Sequence, residues 1–309
     1  MRPSDIRTVA AVLGLLAFLL PACSRPSDRT RFNTPDDAAK ALLAALETNN
    51  TTELKAIFGP NAEQDLSSGD PVSDRHDRQV IALAMQRSWK WAPSGPDRSE
   101  LVIGDEQWPL PIPLAKVRGG WQFDTEAGKE ELLSRRIGRN ELGAIDLCRS
   151  YVRMQKEYAS QPRDGKLSGL YAQRLRSTPG RQDGLYWRVG PEETPSPMGD
   201  HVFRAVAQGY DENKSSSQPL WGYHFRLLTA QGAAAKGGAR SYIVNGEMSG
   251  GFGLLAYPAE YGRGGIMTFM VNQDGVVYQK DLGEDTLEVA PGLTEYSPDG
   301  TWAEVKEPR

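Results

Sequence analysis

The run ELGAIDLCRSYVRMQKEY, residues 141–158, puts Ala144, Ile145, Cys148, Tyr151, Val152 and Tyr158 on one face of a helix. These positions recur every three or four residues, the helical period, while Asp146, Arg149 and Arg153 interrupt them with charge. Asp124 and Thr125 are capping residues further upstream, so one long helical segment is expected over residues 126–160. Gly138 and Gly143 are expected to kink or divide it, and a domain boundary is placed near Gly138. Beyond the helix the period changes to two. Residues 223–228, 242–244, 252–257, 266–271 and 276–280 read as strands, with Tyr223, Phe225 and Leu227 on one face of the first. The turn Asn272-Gln273-Asp274-Gly275 joins the last two as a hairpin. Between helix and strands, residues 162–217 are rich in Pro, Gly and polar side chains, with short helices expected at 171–176 and 199–207.

Upstream, Thr34 is an N-cap, Pro35 suits the first helical position, and Asp36 and Asp37 complement the helix dipole. Ala38, Ala41, Leu42, Ala45 and Leu46 then share a face as far as Asn49-Asn50. Helices are also expected over 52–58, stopped by Gly59-Pro60, and over 75–89, through Val80, Ile81, Ala84 and Met85. Residues 101–103 read as a strand. Leu110, Ile112 and Leu114 alternate with Pro109, Pro111 and Pro113, which demands an edge or irregular strand. Arg118-Gly119-Gly120 turns the chain into Trp121 and Phe123. The fold class is α+β. Residues 34–137 give helices plus a small antiparallel sheet, by analogy cystatin-like or NTF2-like. Residues 138–309 give the long linking helix and a second antiparallel sheet.

The amino terminus carries Arg2 and Arg7, then the apolar run TVAAVLGLLAFLL at residues 8–20. That length suits a signal peptide, expected over 1–22, and falls short of the roughly 20 residues that span a bilayer. Leu20-Pro21-Ala22-Cys23 resembles the bacterial lipobox. The resemblance implies that the Cys23 thiol takes a diacylglycerol, that the peptide before it is cut, and that the new amine is acylated. Residues 23–33 then form a tether, and the chain meets the membrane through its lipid anchor. Ser24, where an Asp would retain a lipoprotein in the inner membrane, favours the outer membrane facing the periplasm. With Cys23 lipidated, Cys148 has no intrachain partner and reads as a buried small hydrophobe.

Hydrophobic residues at 39% and charged residues at 25% of 309 are a globular composition. A net charge of −4 without any basic block excludes a nucleic-acid surface. Catalytic signatures are missing. There is no Gly-x-Ser-x-Gly elbow, and Ser249, in Gly246-Glu-Met-Ser-Gly-Gly, has the wrong spacing. His76, His201 and His224 lie far apart, with no second ligand at helical spacing. Gly251-Phe-Gly253-Leu-Leu-Ala256 matches a dinucleotide fingerprint in letters only, because it sits inside a strand. The run from Asp211 begins like a calcium loop but has Ser216 and Gly222 where Gly and Glu are needed. Asp281, Glu284 and Asp285 make a second acidic turn, and Arg174, Arg176 and Arg181 a small basic cluster, read as solvated. No cofactor and no metal is assigned.

The segments GYHFRLLTAQG (222–232), GGFGLLAYPAEYG (250–262) and MTFMVNQDGVVYQKDLG (267–283) carry a resemblance. With GLYWRVG (184–190) and WPLPIPLAKVRGGWQFDTEAGKEELL (108–133), they resemble the bacterial domain of unknown function 2950 family over nearly all of the chain beyond the tether. The resemblance implies an exported bacterial protein and brings no activity with it. A long helix, a loop region and an antiparallel meander are also similar to a pilin or pseudopilin head. The charged, internal helix lacks the apolar half that pilins polymerise through, so a filament subunit is disfavoured, and the likeness leaves Ca²⁺ at the 281–285 turn as an open expectation.

These readings favour a non-catalytic envelope lipoprotein that binds an envelope protein or glycan. The binding surface is expected on the glycine-rich loops 231–238 and 258–265, with Gln231, Lys236, Glu260 and Tyr261 as its residues. The competing reading is an envelope hydrolase acting on cell-wall or surface material through His224, Glu260 or Asp274.

Overall fold

A computed structural model describes residues 29–62, 66–190, 192–211 and 218–306. The expected signal peptide, Cys23 and the expected tether up to residue 28 lie outside the described residues, as do residues 212–217 of the calcium-like run. The chain is α+β. Its helices are α1 (Pro35–Glu47), α2 (Thr51–Phe58), α3 (Pro71–Arg87), α4 (Thr125–Ala159), α5 (Gly199–Ala207) and the short α6 (Thr286–Val289).

Helix α1 starts where its sequence says. The Thr34 hydroxyl accepts from the Asp37 amide at 3.1 Å, and the Asp37 carboxylate accepts from the Thr34 amide at 3.2 Å, a reciprocal capping box. Helix α3 starts four residues before the expected 75, because Asp70 caps it and Pro71 occupies its first position. It also stops short of Trp89, which opens strand β1 (Trp89–Gly95). That strand was not expected. Its Pro93 is tolerated because β1 is an edge, paired only to β2 (Arg98–Ile103).

Strands β3 (Trp108–Pro109), β4 (Leu114–Val117) and β5 (Gly120–Phe123) complete an antiparallel sheet in the order β1-β2-β4-β5, with β3 also on β2. The proline-alternating stretch forms no strand over 110–113, yet Leu110, Ile112 and Leu114 are all buried. Val117 pairs with Gly120 around the expected Arg118-Gly119 turn. Gly120 is required there: a Cβ would sit 2.4 Å from the carbonyl oxygen of Phe32, which pairs with Trp121 along the sheet edge. Helices α1, α2 and α3 cover the sheet, and Leu42, Ile57, Met85, Leu101, Ile103 and Phe123 form the centre of this first core.

Helix α4 is one unbroken helix of 35 residues, about 50 Å long. The expected break at Gly138 or Gly143 does not occur. Both glycines face open space, so each costs helix propensity without forcing a bend. Gly128 is different, since a Cβ there would lie 2.5 Å from the Ile112 Cα. The first core ends at Phe123 and the second begins at Ala144, so α4 runs from one to the other.

The second core lies against an antiparallel sheet ordered β15-β13-β12-β11-β6. Its strands are β6 (Tyr223–Leu228), β11 (Gly253–Pro258), β12 (Met267–Asn272), β13 (Tyr278–Asp281) and β15 (Ala303–Glu304). The intervening short strands are β7 (Ala230–Gln231), β8 (Arg240–Ser241), β9 (Ile243–Val244) and β10 (Glu247–Met248), with β14 (Glu295–Tyr296) pairing parallel to β7. Leu254, Ala256, Phe269 and Val271 face Tyr151, Cys148 and their neighbours on α4. Leu255 and Met270 face the opposite way, toward Ala290 and Tyr296. Both faces of β11 are therefore covered, which is why its sequence is a continuous apolar run. Residues 171–176, expected as a helix, form none and are irregular, with isolated bridges at each end. The Tyr171 amide donates to the Met248 carbonyl at 2.8 Å, and Arg176 bridges to Tyr186. Burial pushes the Cys148 thiol up to about 12, consistent with a packed hydrophobe.

Candidate functional site

A polar cleft of 190 Å³ opens at the carboxyl end of α4. Tyr158 leads into it, and its hydroxyl donates to the Gln182 carbonyl at 2.6 Å, which fixes the 178–183 loop over the helix end. The chain then reverses through Asp164 and Gly165, with φ of 48° and 75°. Left-handed residues at both turn positions suit a two-residue hairpin, which pairs Arg163 with Lys166. Residues paired directly across such a turn project to the same side. Both line the cleft, with Gln161, Tyr171, Gln173, Arg174, Arg181, Asp183 and Glu247.

Charge in the cleft is ordered. Lys166 pairs with Glu247 at 2.8 Å, Arg181 with Asp164 at 3.2 Å, and Arg174 with Asp183 at 3.8 Å. In each pair the cation is the more exposed partner, at 42%, 53% and 61% against 34%, 18% and 18%. Burial alone would raise the Asp183 carboxyl, but bonds from the Thr178 amide and hydroxyl, helped by Arg174, hold it below the usual range. Arg163 is held differently. Its guanidinium carbon lies 4.8 Å from the Trp187 ring centre and 5.4 Å from that of Tyr158. Its Nε and Nη1 make only long bonds, 3.4 Å each, to the Tyr158 carbonyl and the Gln182 side chain. The arrangement offers outward-facing cations above satisfied carboxylates, a surface suited to holding a small polar or anionic group.

A second cavity, of 110 Å³, lies under α4 and is lined by Leu147, Met154, Met198, Phe225 and Leu254. Its polar groups are few: Gln218, and Tyr151, whose hydroxyl already donates to the Gly253 carbonyl.

The sequence matches, over residues 29–305, the family described as a protein of unknown function (DUF2950). The chain belongs to the DUF2950 family. No curated protein and no solved structure matches it. The DUF2950 match covers all the residues that line the cleft, so the cleft is part of the family region.

The structure of this DUF2950 protein separates the residues chosen from sequence. Gln231 is buried beneath its loop rather than on it. Its amide nitrogen donates to the carbonyls of Lys236 and Gly238, at 3.0 and 2.7 Å, and its oxygen accepts from Tyr242. Lys236 is exposed at the loop tip. Glu260 bonds Arg263 and packs against Gly69 of the N-terminal part, and Tyr261 donates to Asp281 at 3.2 Å. The two loops leave opposite ends of the sheet: 231–238 follows the Leu228–Gly253 end, and 258–265 follows the Tyr223–Pro258 end. They do not form one surface.

Nor do the three candidate hydrolase residues converge: Glu260 follows the His224 end of the sheet, but Asp274 does not. His224 pairs with Tyr257, four residue pairs or roughly 13 Å along β11 from Gly253. Asp274 follows Asn272, the partner of Gly253, at the other end. Asp281 is occupied by the Gly283 amide as well as Tyr261. Of the basic cluster, Arg174 and Arg181 line the cleft while Arg176 stacks on Tyr186. Sequence reading missed the cleft because its walls come from residues 158–183 and 247, brought together only by folding. The Asp164-Gly165 turn and the basic cluster of Arg174 and Arg181 were the local signals available.

Proposed function

We propose that this DUF2950 protein is a lipid-anchored envelope protein whose C-terminal part binds an envelope component without transforming it. The anchor reading rests on the apolar run at 8–20, the LPAC ending at Cys23, and the polar stretch that separates Cys23 from the first described residue. No helix among the described residues is long and apolar enough to cross a membrane, so the lipid is the membrane contact offered. Ser24 supports an outer-membrane address facing the periplasm.

The observation that carries the binding reading is the cleft at the end of α4, where three ion pairs turn their cations outward around Arg163. Oriented by their carboxylates, these cations present charged donors to a ligand in a concave site. The distance between His224 and Asp274 counts against the hydrolase reading. Likeness to a pilin head rests on element order alone, a long helix followed by an antiparallel sheet, and here supports a head used for binding.

The test is capture. The detergent-solubilised protein is immobilised and offered purified envelope polysaccharide, beside a variant carrying Lys166→Gln and Arg174→Gln. Retention by the parent and loss by the variant is the expected result. Equal retention by both would remove the cleft from the proposal, and no retention would remove glycan as the partner.

A further inference from the structure

We infer that the cleft at the end of α4 accepts a monosaccharide unit bearing one carboxylate. This rests on the reading of that cleft as a ligand site and names what it takes.

The charge count gives the valence. Arg163, Lys166, Arg174 and Arg181 bring four cations to the cleft, and Asp164, Asp183 and Glu247 answer three of them. One positive charge is left over, and the geometry locates it. Arg163 makes no ion pair among the described residues. Its Nη2 has no bond among them either, since the two long bonds use Nε and Nη1. The guanidinium sits over the Trp187 and Tyr158 rings, which hold the cation without consuming its donors. With Nη2 open and Nε and Nη1 held only at 3.4 Å, the planar fork has donors to turn toward a carboxylate. A phosphate dianion would bring one charge too many, and a neutral ligand would leave Arg163 unanswered.

Size and wall chemistry give the rest. At 190 Å³ the cleft is smaller than the roughly 300–1,000 Å³ of drug-sized pockets, and room for one ring remains. Gln161, Gln173 and Glu247 place amide and carboxylate groups around the space, with the Tyr171 ring beside them. Alternating donors and acceptors next to an aromatic face are what a hydroxyl-bearing ring requires. Leu167 and Leu170 supply the apolar part of the wall.

The experiment is calorimetric titration of the detergent-solubilised full-length protein with glucuronate, glucose and inorganic phosphate. Glucuronate is expected to bind at least about tenfold more tightly than glucose, the effect of one charge-assisted pair. Arg163→Gln is expected to erase that ratio, and Arg163→Lys to recover only part of it, because an ammonium lacks the fork. Because Arg163 also stacks on two rings, Lys166→Gln serves as a second variant that leaves the stack intact, and the circular dichroism of each variant is checked. Lys166→Gln is expected to weaken glucuronate while keeping its preference over glucose. Glucose binding as tightly as glucuronate, or phosphate competing equally with it, would overturn the carboxylate assignment and leave a binding cleft of other specificity. No sugar binding alongside intact polysaccharide capture would place the ligand elsewhere on the protein. Loss of both would take down the binding reading itself.

Discussion

Asp70 accepts the Tyr210 hydroxyl at 2.5 Å, joining residues 140 apart in the chain. The same carboxylate oxygen accepts the Gly222 amide at 3.1 Å, while the other oxygen caps α3 through the amides of Val72 and Ser73. Tyr210 in turn accepts from the Trp221 amide at 2.9 Å. Around this pair, Arg136 donates to the carbonyls of Leu66 and Ser67, Asn140 to that of Gly264, and Glu141 accepts from the amides of Ile266 and Met267. The two hydrophobic cores thus meet through buried polar bonds, whose loss leaves groups unpaired away from water.

Tyr210→Phe removes one hydroxyl and leaves the Trp221 amide without its acceptor. It is expected to cost about 2 kcal/mol. Asp70→Ala removes a helix cap as well and is expected to cost about 3–5 kcal/mol. Urea unfolding measures both. A loss below about 0.5 kcal/mol for Asp70→Ala would show that the junction is not a source of stability.

Two glycines of one helix are expected to respond with opposite signs. Gly128→Ala forces a Cβ to within 2.5 Å of the Ile112 backbone and should destabilise by about 1–3 kcal/mol. Gly138→Ala enters open space and should stabilise by up to about 1 kcal/mol. Thermal melts that shift both variants the same way would contradict the close approach of α4 to the 111–112 backbone.

Cys148 should resist alkylation by iodoacetamide in the native state at pH 8 and react fully in denaturant, since its thiol is buried and its pKa lies near 12. The linkage sign follows. Between pH 9.0, its ordinary value, and about 12, the unfolded chain loses this proton while the folded one keeps it. Stability from Cys148 is therefore complete below pH 9 and declines above it, by at most about 1.4 kcal/mol per pH unit. Cys148→Ala should flatten the stability profile between pH 9 and 10, before the buried tyrosines contribute. An unchanged slope would mean that the thiol is accessible.

Cys23→Ala is expected to abolish incorporation of labelled fatty acid and to release the protein from the membrane fraction. Retained labelling would place the acyl chain elsewhere and overturn the anchor proposal.

Periodicity made much of the fold readable. The stripe from Ala144 to Tyr158 and the apolar strands β6, β11 and β12 lie where burial puts them. The capping signals at Thr34 and Asp124 also hold. What failed was local in kind. Asp70-Pro71 marks a helix start as clearly as Thr34-Pro35, but the polar first turn of α3 hid it. Trp89 to Gly95 contains a proline and lies at an edge, so its strand character comes from Leu101 and Ile103 across the ladder. Residues 171–176 have helical letters but give their backbone bonds to Met248 and Tyr186. Gly138 has the composition of a break, yet α4 runs on through it between the two cores. The site was the least readable, because Glu247 reaches Lys166 across 81 residues.

The continuity of α4 also sets a distance. Arg29, where the described chain begins, lies at the helix's first turn, bonding the Phe123 carbonyl and standing 3.8 Å from Glu126. Tyr158 and the cleft lie at its last turn. With α4 unbroken between them, Arg29, beside which the proposed tether would enter, and the cleft are kept about 50 Å apart. The helix works as a spar: on the anchor proposal it sets how far from the membrane attachment the cleft can reach, and shortening it by whole turns would draw that reach in by about 5.4 Å each.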